Sequence, residues 1–206
     1  MKLHSYVVDH DIGFAPNPFH GFCTLATCKQ QIRRVASVGD WVMGTGAAKN
    51  RRSGFLVYAM RVTETLSFDE YWIDPRFERK RPNLRGSRRL RFGDNVYHRD
   101  PAGSWIQENS RHSRADGSPE PIHLVRDTGI TEKVLISDDY VYFGSDGPSV
   151  PSHLLEFNII SGRGHRNRFE TEEVRQTLEW FDSLPRGLEG TPFDWHRVSN
   201  MRLTRP

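Results

Sequence analysis

Cysteine is almost missing from this sequence. Cys23 and Cys28 are its two, too few for a disulfide framework and suited to a reducing compartment. Long apolar runs are missing as well. No segment approaches the ~20 apolar residues of a membrane-crossing helix. The opening Met1 to Asp11 has no apolar stretch of signal-peptide length and no small-residue cleavage site, which predicts a cytoplasmic chain without a membrane partner. Lysine is scarce, because the 29 Lys and Arg residues are overwhelmingly Arg. There is no internal repeat and no low-complexity block. Neither a Walker-type phosphate loop nor a GxGxxG turn occurs, so triphosphate and dinucleotide binding have no support and no cofactor is assigned.

What remains is an aromatic, arginine-rich chain of 206 residues. That length fits one domain, residues 1–206, with 184–206 as a C-terminal tail packed on it by Phe193 and Trp195. The hydrophobic share is only 36%, but five Trp, six Tyr and twelve Phe bury much area per residue. The net charge of +3 and a pI near 9.0 allow a polyanionic partner without demanding one. Arginine's planar fork of donors suits phosphates and base faces better than lysine does.

Short β-rich runs dominate the pattern. Strands are expected at Leu3 to Val8, at Trp41-Val-Met, from Phe55 to Thr63, at Ile122 to Val125, from Lys133 to Ile136 and from Tyr140 to Phe143. Phe22 to Ile32 reads as a strand or extended segment, and Leu154 to Ile160 as a further apolar segment. A Ser67 cap predicts a short helix to Ile73. Thr171, followed by Glu172 and Glu173, predicts a longer one with Val174, Leu178 and Phe181 on one face. Residues 74–116 are polar and irregular, yet Phe77, Phe92, Tyr97 and Trp105 predict a packed excursion. The expected fold is α+β: a mixed, mainly antiparallel sheet or small barrel with a few flanking helices and a long ordered basic loop.

Several segments carry candidate chemistry. In the loop from Phe14 to Cys28, Phe14 and Phe19 offer rings to a planar base, while Asn17 and His20 offer its edge hydrogen bonds. The alternative is a loop folded back on the sheet with the rings as anchors. Gly44, Thr45, Gly46 and Lys49 form a glycine-bearing strand connection that exposes amides and a cation to phosphate, or a plain hairpin turn. Arg76, Arg79, Lys80, Arg81, Arg85 and Arg88 belong to a basic run, with Arg89 and Arg91, that suits phosphate contacts. A solvated loop paired with Asp69, Glu70 and Asp74 is the alternative. Asn95 and Tyr97 add base-edge donors, beside Asp94, His98, Gln107 and His112.

The thiols and imidazoles admit catalysis by Cys23 or Cys28 with His20 or His112 as base. They also carry zinc donor types, with His98, His112 or His123 to complete the shell, but four ligands at tight paired spacing are not evident, so no metal is assigned.

The succession Gly13-Phe-Ala-Pro-Asn-Pro-Phe-His-Gly-Phe-Cys-Thr-Leu-Ala-Thr-Cys-Lys, Val38-Gly-Asp-Trp-Val-Met-Gly-Thr-Gly, Asp74-Pro-Arg-Phe-Glu-Arg-Lys-Arg-Pro and Gly93-Asp-Asn-Val-Tyr resembles the type 2 nucleotide modification associated domain over nearly the whole chain. More distantly, the Gly-Asp turn that opens a strand is similar to PUA-like small barrels, which bind RNA or modified bases. The first resemblance implies an α+β fold and a place beside base and nucleotide modification in phages and bacteria, with no established chemistry. The expected function is a nucleotide or nucleic-acid binding accessory module, its pocket formed by Phe14 to Cys28 and Gly44 to Lys49 and its phosphates held by Arg76 to Arg91. A nucleotide-modifying enzyme using Cys and His, and a protein-interaction partner of a modification enzyme, are the alternatives.

Overall fold

The computed structural model describes residues 1–162 and 164–195. In chain order it contains β1 (Leu3–Val8), β2 (Cys23–Leu25), α1 (Gln30–Val35), β3 (Trp41–Gly46), β4 (Leu56–Arg61), β5 (Glu64–Leu66), α2 (Phe68–Ile73), α3 (Arg88–Arg91), β6 (Tyr97–Arg99), β7 (Trp105–Gln107), α4 (Pro121–Thr128), β8 (Val134–Ser137), β9 (Asp139–Gly144), α5 (Ser152–Leu155), β10 (His165–Arg166), α6 (Thr171–Asp182) and β11 (Gly187–Thr191). Six strands form one sheet in the order β10-β1-β3-β4-β9-β11, with β1–β3 and β9–β11 parallel and its other pairs antiparallel. A three-stranded antiparallel sheet runs β2-β8-β5, and β6–β7 is a hairpin.

Side-chain alternation along the strands sets the layers, since successive residues of a strand point to opposite faces. On the large sheet, Trp41, Met43, Val141 and Phe143 join one cluster with Val174 and Phe181 of α6. Val42, Tyr58, Tyr140 and Tyr142 belong to a second cluster that takes in Leu25 of β2, Ile32 of α1 and Leu135 of β8. The small sheet repeats the device: Val134 and Ile136, flanking Leu135, enter a third cluster with Phe68, Tyr71, Phe77 and Tyr97. The order is therefore helix, large sheet, small sheet, and then α2 with the long excursion.

The chain is α+β with a mixed, mainly antiparallel sheet. The expectation of a small PUA-like barrel is not met: β10 and β11 stand at opposite edges of the large sheet, and no closed barrel occurs among the described residues. The Ser67 helix starts as expected. The Ser67 hydroxyl accepts from the Glu70 amide at 3.2 Å, and the Glu70 carboxylate accepts from the Ser67 amide at 2.7 Å, a reciprocal cap. At α6, Thr171 is the first helical residue and Glu170 the cap. The excursion is ordered, held by a turn of 3-10 helix at Pro75–Lys80, by α3 and by the β6–β7 hairpin.

Three local expectations fail. Phe22 to Ile32 is extended only over Cys23–Leu25, and its end, from Gln30, is the start of α1. Ile122 to Val125 is not a strand but lies within α4, where Pro121 occupies the first turn and Gly129 the end, a helix signature that outweighs the short β-rich run. Gly44, Thr45 and Gly46 do not loop out but continue β3, because a Cβ on Gly44 would lie 2.6 Å from both the Tyr58 ring and a Val8 methyl group. Glycine is there for close packing of neighbouring strands. At the other end, β11 pairs with β9, Phe193 packs on the second cluster and Trp195 on the third. Residues 196–206 of the expected tail lie outside the described residues.

Candidate active site

Between β2 and α1 the chain passes through two consecutive non-glycine residues in the left-handed region, Cys28 at φ 54° and Lys29 at φ 42°. Such residues cost about 1–2 kcal/mol each relative to a right-handed turn and persist only where their surroundings hold them. Here Asp127 of α4 and Arg33 of α1 do so. The Cys28 amide donates to Asp127 Oδ1 at 3.1 Å, and Arg33 Nε donates to the Cys28 carbonyl at 2.9 Å. Arg33, wholly buried, also donates to the carbonyls of Lys133 and Asp127, so one guanidinium joins three distant stretches of backbone.

This turn presents the Cys28 thiol to His112, which lies in the loop after β7. Cys28 Sγ is 3.6 Å from His112 Nε2, and on the opposite side of the ring His112 Nδ1 is 2.9 Å from Asp127 Oδ2. The Tyr97 hydroxyl donates to the same Oδ2 at 3.0 Å. Thiol, imidazole and carboxylate thus stand in a relay, the order used for nucleophile, general base and orienting group. The imidazole is itself fixed, with the Phe14 ring edge-on at 4.7 Å and the His123 ring at 4.4 Å. The His112 backbone carbonyl accepts from Gln107 Nε2 and from His123 Nδ1, both at 2.9 Å.

The electrostatics favour a neutral resting pair. Burial, then the nearby Asp127 carboxylate, pushes the Cys28 thiol up, with Arg126, Lys29 and Arg33 opposing. Burial pushes the His112 imidazole down against the pull of Asp127. For Asp127, burial acts upward, but the His112 hydrogen bond and the charges of His112 and Arg126 outweigh it and hold the carboxyl below its ordinary value. An ionised Asp127 therefore faces an imidazole with Nδ1 protonated and the Nε2 lone pair shared between two donors, the Cys28 thiol and Arg126 Nη2.

Cys28, His112 and Asp127 are also metal-ligand types within 4.8 Å of one another. Their arrangement suits a relay better than a chelate. A cation already stands among them: Arg126 Nη2 lies 3.2 Å from His112 Nε2 and 3.8 Å from Cys28 Sγ, while Arg126 Nε donates to Asp127 Oδ1 at 3.1 Å.

The relay opens into a cleft of about 910 Å³ between β1, the start of α1, the loop around Arg111 and α4. A space of that size accommodates a drug-sized or nucleotide-sized molecule. Lys29, Arg111 and Arg126 contribute positive charge to it and Asp9 negative charge, with His10, His123 and His165 among the other lining groups.

Of the candidates named from sequence, Cys28 and His112 meet here, with Tyr97 behind them and Phe14 against the imidazole. Cys23 lies in the core, its thiol pushed far up by burial. His20 is remote from the relay, and burial, then Arg79 and Lys80, lowers it to about 4. Asn17 is buried and donates to the carbonyls of Gly13 and Phe92, Asn95 to those of Tyr71 and Phe77. Phe19 is buried and stacks on Trp195 at 5.7 Å. Lys49 pairs with Asp9 at 3.5 Å on the rim of the cleft.

In the basic run, Lys80 is fully buried, with Nζ donating to Asn17 O, Asn17 Oδ1, Phe22 O and Thr24 Oγ1 at 2.7–3.0 Å. Arg76 is held by Glu64 and Asp74, and Arg81 lies 4.0 Å over the Trp72 ring. Arg79, Arg85, Arg88 and Arg89 make no ion pair among the described residues. None of residues 76–91 lines the cleft.

Asp127, Arg126 and Arg33 were missed from sequence. Reading α4 as a strand hid the first two, although Pro121 and Gly129 mark a helix that puts His123, Arg126 and Asp127 on one face.

A family model described as nucleotide modification associated domain 2 matches residues 1–199. The chain belongs to that family. The family's name ties this domain to nucleotide modification and leaves the chemistry open, so the relay and its cleft are what the chain itself contributes to a functional reading of the nucleotide modification associated domain 2. No curated protein and no solved structure matches the chain. Among the described residues no helix is long and apolar enough to cross a membrane.

Proposed function

We propose that this protein is a nucleotide-modifying enzyme that works by covalent catalysis through Cys28. The observation that carries the reading is the Cys28–His112–Asp127 relay, on a strained turn at the base of a cleft. In the reaction His112 Nε2 accepts the thiol proton, and the thiolate sulfur forms a bond to an electrophilic carbon of the substrate. The leaving group departs with the proton held on Nε2. A second nucleophile, deprotonated by the same nitrogen, then displaces the sulfur and regenerates the thiol. Asp127 holds the ring in the required tautomer and stabilises the imidazolium, and Tyr97 fixes Asp127. The family's tie to nucleotide modification supports a substrate that is, or is joined to, a nucleotide.

The test begins without a known substrate. Iodoacetamide labelling followed by intact mass reports the two cysteines separately, because Cys23 is buried in the core. In phosphate buffer one rapid addition is expected, absent in Cys28→Ser and slowed in His112→Ala with the melting temperature retained. Equal rates in the wild type and His112→Ala would remove the base from the reading. Nucleotides and nucleic acids are then screened for a mass adduct on Cys28 and for turnover.

The exposed arginines favour a second, compatible reading, the binding of nucleic acid outside the cleft. Arg88 lies 5.7 Å from the Trp195 ring and Arg89 5.6 Å from Phe19, beside the stacked Phe19–Trp195 pair. Backbone contacts from such residues give affinity that falls steeply with salt. Salt-insensitive binding, or none, would leave the cleft alone as the recognition surface.

A further inference from the structure

Arg126 stands where the reaction needs a vacant lone pair. His112 Nε2 has one lone pair and two claimants, the Cys28 thiol at 3.6 Å and Arg126 Nη2 at 3.2 Å. The guanidinium is the nearer and bears the charge, so it makes the stronger hydrogen bond. While it does, the thiol proton has no acceptor and an imidazolium cannot form at Nε2. The protein as described is a resting state with its base capped.

The same residue is placed to recognise an anion. Arg126 is partly exposed and lines the cleft, with Nε anchored on Asp127 Oδ1. A pivot of the planar guanidinium about its Nε–H bond to Asp127, taken up in the torsions of its stem, would trade the one Nη2 hydrogen bond for two on an oxyanion and keep that anchor. The Cys28 amide, which commonly serves a developing oxyanion in cysteine and serine relays, is already committed to Asp127. The donor beside Sγ is instead Arg126 Nη2, 3.8 Å away. Lys29 and Arg111 raise the positive charge of the lining, and its acid Asp9 is paired with Lys49. That excess of positive charge suits a doubly charged phosphate group.

We infer that Arg126 is the substrate-phosphate recognition residue of this site, and that engaging a phosphate withdraws its guanidinium from His112 Nε2 and so frees the base for Cys28. The inference rests on the covalent reading above and adds to it a phosphate-bearing substrate and an order of events. The site stays quiet until the anion arrives, which protects a cleft-facing thiol from chance electrophiles.

The experiment measures iodoacetamide labelling of Cys28 at pH 7 with inorganic phosphate or adenosine 5′-monophosphate in excess. Chloride at matched ionic strength and adenosine serve as controls. In the wild type either phosphate compound is expected to speed labelling by about tenfold, the scale of one charge-assisted hydrogen bond. Neither control should do so. Arg126→Gln, checked by its melting temperature, is expected to label at one rate with and without phosphate, and Arg126→Lys to keep a reduced response. An unresponsive wild type, equal stimulation by adenosine, or stimulation that survives in Arg126→Gln would overturn the inference. His112→Ala separates the two levels of the argument. If, with phosphate present, it labels as fast as the wild type, the covalent reading itself fails. If it labels slowly while the wild type ignores phosphate, only the role of Arg126 fails.

Discussion

Replacing Lys80 by Met is the sharpest probe of how this fold uses its charge. The side chains have similar length, so little packing is lost, but the four oxygens around Nζ lose their donor. Two of them keep other partners: the Asn17 carbonyl still accepts from the Thr24 amide at 2.9 Å, and Thr24 Oγ1 from the Tyr71 hydroxyl at 3.3 Å. Asn17 Oδ1 keeps a long 3.4 Å contact from the Phe19 amide, and Phe22 O loses its lysine bond. Each such buried acceptor costs about 1–3 kcal/mol when stranded. Asp94, fully buried on Thr24 at 2.7 Å and Tyr71 at 2.9 Å, also loses its nearby cation. Breaking a buried charge pair from one side typically costs about 3–5 kcal/mol, and that range is expected for K80M. Burial lowers the lysine only to about 8, so it is charged at pH 7.

In urea, with a slope near 2 kcal/mol per M, the unfolding midpoint should fall by roughly 2 M. The loss should shrink as the pH falls, because Asp94, already raised by burial, takes up a proton more readily without its cation. A shift below about 0.5 M would refute the reasoning. Weakened polyanion binding at unchanged stability would return Lys80 to the phosphate role that its position in the basic run first suggested.

Three other outcomes are expected. Asp127→Asn removes the acceptor that fixes the His112 tautomer, and Cys28 labelling at pH 7 in phosphate should slow by about a hundredfold, with Tyr97→Phe slowing it less. An unchanged rate in Asp127→Asn would deny the relay its third member. Burial lifts the Asp11 carboxyl to about 6 despite hydrogen bonds from the Tyr142 hydroxyl and two amides. A carboxyl raised in the native state gives stability that is whole below its unfolded value near 3.9 and lost as pH rises through about 6. Relative to Asp11→Asn, the wild type should therefore lose roughly 2 kcal/mol between pH 4 and pH 7, measured by urea titration at each pH. A constant difference would contradict that shift. Finally, replacing Arg79, Arg85 and Arg89 together by Gln should weaken nucleic-acid binding and flatten its dependence on salt, with Cys28 labelling unchanged. Labelling that changes in parallel would tie the arginine surface to the cleft.

Much of the fold was legible because it rests on local rules. The Ser67 cap, the strands at Trp41 and Tyr140 and the aromatic anchoring of the excursion follow from residues close in sequence. The errors arose where tertiary packing decided or where one local signal outweighed another. Gly44 to Gly46 look like a loop by composition, but β1 and β4 crowd that stretch until only glycine fits beside Tyr58 and Val8. Ile122 to Val125 has the bulk of a strand, but Pro121 and Gly129 bracket a helix. At the site, Cys28 and His112 were candidates by chemistry alone. Their pairing across 84 residues, and their tie to Asp127, depend on the stacking of α1, α4 and the loop after β7, which no local spacing encodes. Lys80 and Arg33 show the converse. Both look like surface charge in sequence, and both are buried struts whose donors close the carbonyls of neighbouring loops.

The edges of the large sheet bear on how the protein tolerates crowding with its own copies. One edge is β10, only two residues long, and the other is β11, whose register with β9 slips between Leu188 and Thr191. A Cβ on Gly190 would lie 2.0 Å from the Phe143 carbonyl, so the irregular course of that edge depends on glycine. A strand too short, or too kinked, to accept a neighbour gives no template for sheet-to-sheet addition. The fold thus leaves a six-stranded sheet open at both ends without offering a second copy a long, regular edge to pair with.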